Sequence, residues 1–287
     1  MNRIEGPLTL VVTRRCNLRC GYCPQSFADR DMEPRVLEAA LRRLLPRLAP
    51  GAQVKLFGGE PLMVPALVRK AVELVGRADP ARAIEIPTNG ARLGPSMTRF
   101  LRARPSVAVA LSRPAKEPRA LPNLLVNFLL VPGENAAGAL WRLGDWVARG
   151  ARRFNLLPAY YVAWTAAELG ELRRTFAGAS RLLSGLSGKG RGVEIVNAER
   201  IGPAPLYNGG VCVDTDGAIY AGNLFLARAV EPRRDAFRLG SVFEPQALRP
   251  SPPPERFFET ARECFAPEVM ESTLAVDRAL SEFIHGL

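Results

Sequence analysis

Short apolar runs alternate with segments of helical periodicity through the first half of this chain. Six runs rich in branched apolar residues occupy positions 8–12, 53–57, 83–86, 106–111, 124–131 and 153–157. Between the first two runs, leucine or alanine recurs every three or four residues, at positions 37, 40, 41, 44 and 48. That spacing places apolar side chains on one face of a helix. Strands and helices in repeated alternation predict an α/β fold built on a parallel sheet.

Polar, glycine-rich or cysteine-rich segments follow four of these predicted strands directly. Cys16 comes after the first strand, residues 58–61 (GGEP) after the second, residues 88–90 (TNG) after the third, and Ser112 with Arg113 after the fourth. In parallel α/β sheets, ligands bind at the carboxyl ends of the strands. The pattern therefore predicts that these segments converge on one site.

The last third of the chain has a different pattern. A segment rich in glycine and serine (183–192) is followed by an alternating stretch around Asp216-Gly217, which indicates a β-hairpin. A proline-rich stretch then precedes a closing helical segment that ends near His285, which is predicted to be a surface residue. We expect two domains, at residues 1–190 and 191–287.

Composition and charge place the chain among globular proteins and raise nucleic acid as a partner. The 287 residues are 47% hydrophobic and carry a formal net charge of +11. Most of the positive charge is arginine spread along predicted helices, which favours solvated helix faces over a nucleic-acid surface. The sequence shows neither a run of about 18 apolar residues that could span a membrane nor a secretory signal, so no membrane association and a cytoplasmic location are expected.

Three of the five cysteines, Cys16, Cys20 and Cys23, lie in the stretch CNLRCGYC. A structural zinc site or cysteines without a ligand would be the plain alternatives, but structural zinc takes four protein ligands. The remaining candidates, Cys212, Cys264 and His285, are distant in sequence. A cluster of four irons held by three thiolates keeps one iron uncovered. The spacing therefore favours an iron–sulfur cluster with one iron open to a ligand.

With Tyr22 before the third cysteine, GGEP after the second strand and TNG after the third, the sequence resembles the radical S-adenosylmethionine (radical SAM) family over roughly residues 8–165. The resemblance implies a partial (β/α)6 TIM-like barrel with a small C-terminal β-hairpin and helical domain. It also implies one [4Fe–4S] cluster, held by Cys16, Cys20 and Cys23, and S-adenosylmethionine as cofactors. Reduction of the cluster would cleave S-adenosylmethionine to a 5′-deoxyadenosyl radical.

The same resemblance assigns the cofactor contacts to residues near the strand ends: Tyr22, Gly58, Gly59, Glu60, Thr88, Asn89, Ser112 and Arg113. Backbone and carboxylate of the GGEP segment would receive the methionine ammonium, with glycine allowing a close approach of backbone to ligand. Arg113 would meet the methionine carboxylate, with an exposed loop arginine as the equal alternative.

Residues 211–223 and 237–245 resemble the C-terminal extension, of SPASM or twitch type, found in peptide-modifying members of the family. In that extension a cysteine after the hairpin holds an auxiliary cluster, but Gly222 or Asn223 stands at the corresponding position here. The sequence therefore predicts a cluster-free version. Cys212 is a candidate catalytic hydrogen-atom donor, although a free cysteine is more often a small buried hydrophobe, as Cys264 is expected to be.

Three functions remain open at this point. A radical enzyme acting on a peptide or protein is favoured, with an external electron donor of flavodoxin or ferredoxin type. A radical enzyme acting on a small molecule or RNA is the second possibility, and a non-catalytic iron–sulfur relative is the third. The aromatic segment 155–164 could grip a peptide or pack in the core.

Overall fold

The computed structural model describes residues 3–113, 121, 123–187, 192–199 and 210–287. Its strands are β1 (Leu8–Thr13), β2 (Val54–Gly58), β3 (Ile84–Thr88), β4 (Val107–Leu111), β5 (Leu124–Leu130), β6 (Arg153–Pro158), β7 (Glu194–Ile195), β8 (Val211–Val213), β9 (Ala218–Ala221) and β10 (Arg238–Ser241). Its α-helices are α1 (Pro34–Leu44), α2 (Pro65–Ala78), α3 (Pro95–Arg102), α4 (Ala136–Ala148), α5 (Ala166–Ser187), α6 (Pro254–Cys264) and α7 (Pro267–His285).

The described strands form one mostly parallel sheet in the order β10-β9-β8-β1-β2-β3-β4-β5-β6-β7. Strands β1 to β7 pair in parallel with their neighbours, and the register sets Leu10 beside Leu56 and Ile86 beside Val109. The sheet is open, because β10 and β7 are its two edges. The expectation of an α/β fold with a partial TIM-like barrel is confirmed, and all six predicted strands are present as β1 to β6.

Helix α1 shows how the apolar spacing becomes an element. Pro34 lies in its first turn, where a missing N–H costs nothing. Its buried residues are Val36, Leu37, Ala40, Leu41 and Leu44. Leu48, which the spacing included, lies beyond the helix, because Pro46 falls in a 3-10 turn (Leu45–Arg47) directly after it.

Successive strand residues face opposite sides of the sheet, and the two sides differ. In β2, Val54 and Leu56 are fully buried in the apolar core. Lys55 and Phe57, which alternate with them along the strand, are half-buried. Lys55 forms an ion pair with Glu85 of β3 at 3.1 Å. One side therefore packs as an apolar core, and the other side, the polar face, carries polar groups.

The C-terminal hairpin extends this same sheet. Strand β8 pairs in parallel with β1, with Cys212 beside Thr9, and β9 returns antiparallel. Gly217 turns the hairpin with a φ of +89°, a conformation that favours glycine. The hairpin predicted around Asp216-Gly217 is therefore present.

The segment rich in glycine and serine (183–192) begins inside a helix, since α5 continues to Ser187. Helix α5 begins with a capping box, in which the Thr165 N–H donates to Glu168 Oε2 at 2.7 Å. The boundary near residue 190 lies outside the described residues. The division into domains 1–190 and 191–287 stays a prediction.

The aromatic segment that follows β6 packs against the C-terminal helices. Tyr161 stacks on Phe265 with ring centroids 4.5 Å apart. The Tyr160 hydroxyl donates to Asp277 of α7 at 3.1 Å, and the Trp164 N–H donates to the Ser272 hydroxyl at 2.9 Å. The sequence left open whether this segment grips a peptide or packs in the core, and these contacts are those of packing.

His285, near the end of α7, is exposed, as expected. Within the described ranges, no helix has both the length and the apolar character needed to cross a membrane.

Candidate active site

The three cysteines lie on a loop that leaves β1 and returns beside it. The Arg14 N–H donates to the Arg30 carbonyl at 2.8 Å, and the Met32 N–H donates to the Val12 carbonyl at 2.9 Å. Cys16, Cys20 and Cys23 are free and half-exposed. We call residues 14–31 the cysteine loop. A short closed loop that presents three free thiols provides the ligand set of a cluster with one uncovered iron.

Tyr22 lies half-buried within this loop. Burial, reinforced by a hydrogen bond to Cys20, raises the pKa of Tyr22 to about 12. The phenol is therefore neutral at physiological pH. Its predicted contribution to cofactor binding stays a prediction.

The two glycines of GGEP allow the end of β2 to touch the start of the cysteine loop. Gly58 has a φ of +141°, and a Cβ there would lie 2.0 Å from the Thr13 carbonyl oxygen. A Cβ on Gly59 would lie 2.1 Å from the Arg15 carbonyl oxygen. Close approach of backbone does require glycine here, as expected, but the space is filled by the protein's own backbone. The cysteine loop is thereby seated on β2.

Glu60 links the ends of β2 and β3. Its carboxylate is 1% exposed and accepts hydrogen bonds from the Leu62 N–H at 3.0 Å, the Thr88 hydroxyl at 2.6 Å and the Asn89 N–H at 2.8 Å. These contacts hold TNG against GGEP. Direct contact between this carboxylate and a methionine ammonium stays a prediction.

Asn89 also reaches the cysteine loop, since its Nδ2 donates to Asn17 Oδ1 at 3.0 Å. Ser112 follows β4, and its N–H donates to the Thr88 carbonyl at 3.0 Å. Arg113 is exposed. The structure thus brings the cysteine loop, GGEP, TNG and Ser112 together at the carboxyl ends of β1 to β4, where the sequence predicted one site.

Cys212 lies apart from these residues. It is fully buried in β8, with Thr9 and Tyr220 as its neighbours across the sheet. Burial raises the pKa of its thiol well above the usual range. A role for Cys212 as hydrogen-atom donor stays a prediction, and its surroundings are those of a buried hydrophobe.

Contacts that sequence reasoning missed join the cysteine loop to the C-terminal segment. The Arg14 guanidinium donates two hydrogen bonds to Asp214, at 2.9 and 2.7 Å, and both side chains are buried. The Ser26 hydroxyl donates to Glu231 at 2.5 Å, and the Arg228 N–H donates to the Pro24 carbonyl at 2.8 Å. Residues 214–231 therefore hold the start of the cysteine loop and the stretch just after Cys23.

We expect Asp214→Ala to destabilise the protein by about 3–5 kcal/mol, because it leaves the buried Arg14 charge without its partner. The melting temperature should fall, and the reconstituted protein should retain less iron, because Arg14 lies two residues before Cys16. The matched control is Glu263→Gln, which removes an exposed ion pair with Arg233 and should change little. Unchanged iron content and melting temperature in Asp214→Ala would contradict this role.

An open α/β sheet with a loop of three free thiols at its carboxyl edge is the arrangement expected of an enzyme that holds an iron–sulfur cluster beside a cofactor. Residues 10–113 match the model of the Radical SAM superfamily. The chain therefore contains a radical SAM domain over these residues, and members of that superfamily use a [4Fe–4S] cluster and S-adenosylmethionine.

A curated relative, GTP 3′,8-cyclase of Synechococcus sp., is 34% identical over 131 residues, which cover 41% of this chain and 36% of that protein. The aligned region thus spans about a third of that relative's length. Two solved structures share the fold. One is anSMEcpe with bound AdoMet (TM-score 0.64, 14% identity, 97% of this chain and 92% of that chain). The other is Streptococcus suis SuiB bound to S-adenosylmethionine (TM-score 0.59, 13% identity, 85% and 62%).

Proposed function

We propose that this protein is a radical SAM enzyme that modifies a peptide or protein. The observation that supports the radical chemistry is the seating of the three-cysteine loop on GGEP at the carboxyl edge of the sheet. A cluster held by Cys16, Cys20 and Cys23 would supply the electron for reductive cleavage of S-adenosylmethionine, the source of the radical chemistry. The protein's part is to bind, to orient and to keep water out.

The residues divide these tasks by their contacts. Cys16, Cys20 and Cys23 would hold the cluster. Gly58 and Gly59 let the cysteine loop lie against β2. Glu60 and Asn89 fix the adjoining strand ends, so that a cofactor bound across β1 to β4 meets backbone that is already in place. Because this backbone is already ordered, less conformational entropy is lost when the cofactor binds.

The peptide assignment draws on two features. The fold similarity to anSMEcpe continues through the C-terminal segment, and other structures of the same neighbours contain peptides: anSMEcpe with AdoMet and a peptide, and SuiB bound to the precursor peptide SuiA. We infer a C-terminal extension of SPASM or twitch type without an auxiliary cluster, since two cysteines outside the loop are too few to hold one. An external flavodoxin or ferredoxin would supply the electron.

A nucleotide is the second candidate substrate. The observation that favours it is the 34% identity to a GTP 3′,8-cyclase, which is higher than the identity to either structural neighbour. Both candidates can be tested in the same reaction.

The test compares peptides encoded beside the gene, deuterated at Cα and side-chain positions, with GTP. Reconstituted protein and a strong reductant should release 5′-deoxyadenosine slowly alone and faster with the true substrate, because a bound substrate excludes water from the site. We expect deuterium from the peptide to appear in 5′-deoxyadenosine, as measured by mass spectrometry. If GTP alone accelerates the release and becomes modified, the peptide proposal is wrong and the nucleotide function holds.

A further inference from the structure

Two asparagines lie side by side on the polar face of the sheet, beyond the residues assigned above. Asn127 of β5 is paired in register with Asn155 of β6, and Asn155 Nδ2 donates to Asn127 Oδ1 at 2.9 Å. Val126 and Phe128, the neighbours of Asn127, are buried in the apolar core. The guanidinium of Arg142 on α4 lies 4.5 Å from the Phe128 ring centre. Because strand side chains alternate, Asn127 faces away from the helices.

The asparagine pair lies in line with the predicted cofactor contacts. Leu111 of β4 is in register with Val126, so the next residues, Ser112 and Asn127, are level with each other. Ser112 is in turn bonded to Thr88 through its N–H. The cofactor contacts are placed on β1 to β4, and the asparagines continue the same row on β5 and β6. They therefore adjoin the predicted cofactor contacts on the same face of the sheet.

Stability does not account for this pair. Asn155 is 6% exposed, and its Oδ1 is buried without a hydrogen-bond partner among the described residues. A buried acceptor that forms no hydrogen bond destabilises a fold, and a branched apolar residue would avoid that cost. Local rules broken in this way are typical of functional positions.

The bond between the two amides determines what Asn127 can offer. Its Oδ1 already accepts a hydrogen bond from Asn155, so the half-buried side chain has Nδ2 as its donor for a further partner. An amide N–H₂ donates and cannot accept. Asn127 therefore presents a hydrogen-bond donor on the polar face of the sheet next to Ser112, and this donor is suited to an acceptor oxygen.

We propose that Asn127 binds the substrate by donating a hydrogen bond from Nδ2 to a substrate carbonyl oxygen, and that Asn155 is the positioning residue that orients the Asn127 amide. This inference rests on the proposed radical SAM function. It is independent of whether the substrate is a peptide or a nucleotide, since backbone amides and nucleobases both carry carbonyl oxygens.

The test measures two constants separately in reconstituted protein. One is the dissociation constant of S-adenosylmethionine, by calorimetry. The other is the KM of whichever compound, deuterated peptide or GTP, accelerates 5′-deoxyadenosine release by the wild type. Asn127→Ala should raise this KM about three- to tenfold, the worth of one hydrogen bond, and leave cofactor affinity unchanged. If GTP is the compound that accelerates the release, the peptide proposal is wrong. The same variants are then measured with GTP.

Asn155→Asp separates positioning from packing, because it preserves the shape of the side chain. It replaces the Nδ2 donor by an oxygen, so the Asn127 amide should turn over and present its own oxygen to the substrate. We expect its KM to rise at least as much as in Asn127→Ala, with iron content unchanged. The matched control is Asn123→Ala, because Asn123 precedes the same strand at its opposite end and donates to the Pro105 carbonyl. Its KM should stay at the wild-type value.

Two results would overturn the inference. A weaker affinity for S-adenosylmethionine with an unchanged KM would assign Asn127 to the cofactor. Unchanged constants in both Asn127→Ala and Asn155→Asp would show that the pair only fills space between β5 and β6.

Discussion

Replacement of Cys16, Cys20 and Cys23 together by alanine is expected to remove essentially all iron from the reconstituted protein. The wild type should hold about four irons and four sulfides per chain, because the cysteine loop supplies ligands for one cluster. The measurement is iron and sulfide content after anaerobic reconstitution, together with the absorbance of the cluster.

The control for this change is Cys212→Ala combined with Cys264→Ala. Cys212 is fully buried in β8 and Cys264 ends α6, so neither lies on the cysteine loop. The double variant should keep the iron content of the wild type. About eight irons in the wild type, or half of the iron surviving the triple replacement, would mean that the C-terminal segment holds a cluster of its own.

Gly59→Ala is expected to abolish stable cluster binding, although it adds only one methyl group. The new Cβ would lie 2.1 Å from the carbonyl oxygen and 2.5 Å from the carbonyl carbon of Arg15, and 3.0 Å from the Cβ of Cys16. Since these are mostly backbone atoms, no side-chain rotation relieves the overlap, and the cysteine loop must move away from β2. The cost is about 3 kcal/mol or more.

Iron content and melting temperature should therefore fall together in Gly59→Ala. Any loss of affinity for S-adenosylmethionine should follow from the loss of the cluster. Gly76→Ala is the matched control, because a Cβ at this exposed position of α2 meets no atom within 4 Å. It should raise stability by about 0.5–1 kcal/mol through helix propensity. If Gly59→Ala keeps its iron and loses only cofactor affinity, the glycine serves the cofactor and the seating of the cysteine loop is unnecessary.

Much of the site could be predicted because its signals are local. Apolar runs and helical spacing depend on neighbours a few residues away, and they predicted β1 to β6 together with α1. The three cysteines lie within eight residues, and strand ends in a parallel sheet meet at one edge whatever their order. The grouping of Glu60 with Thr88 and Asn89 follows from that rule alone.

Other features depended on which atoms meet in three dimensions. The glycines of GGEP accommodate the backbone of Thr13 and Arg15, which only the structure shows, and their predicted contact with the cofactor stays a prediction. The aromatic residues after β6 could have gripped a peptide, but they pack against α7. Asn127 and Asn155 carry no sequence signal, because only the register of β5 and β6 sets them side by side.

What the sequence by itself determined is therefore the chemistry: a three-cysteine loop, a glycine-rich neighbour and a parallel sheet to hold them. What only the tertiary structure decided is how the loop is supported. Arg14 and Asp214 are 200 residues apart, and nothing in local periodicity links them. Their contact exists because β8 pairs with β1, a choice among sheet edges that depends on the packing of the whole chain.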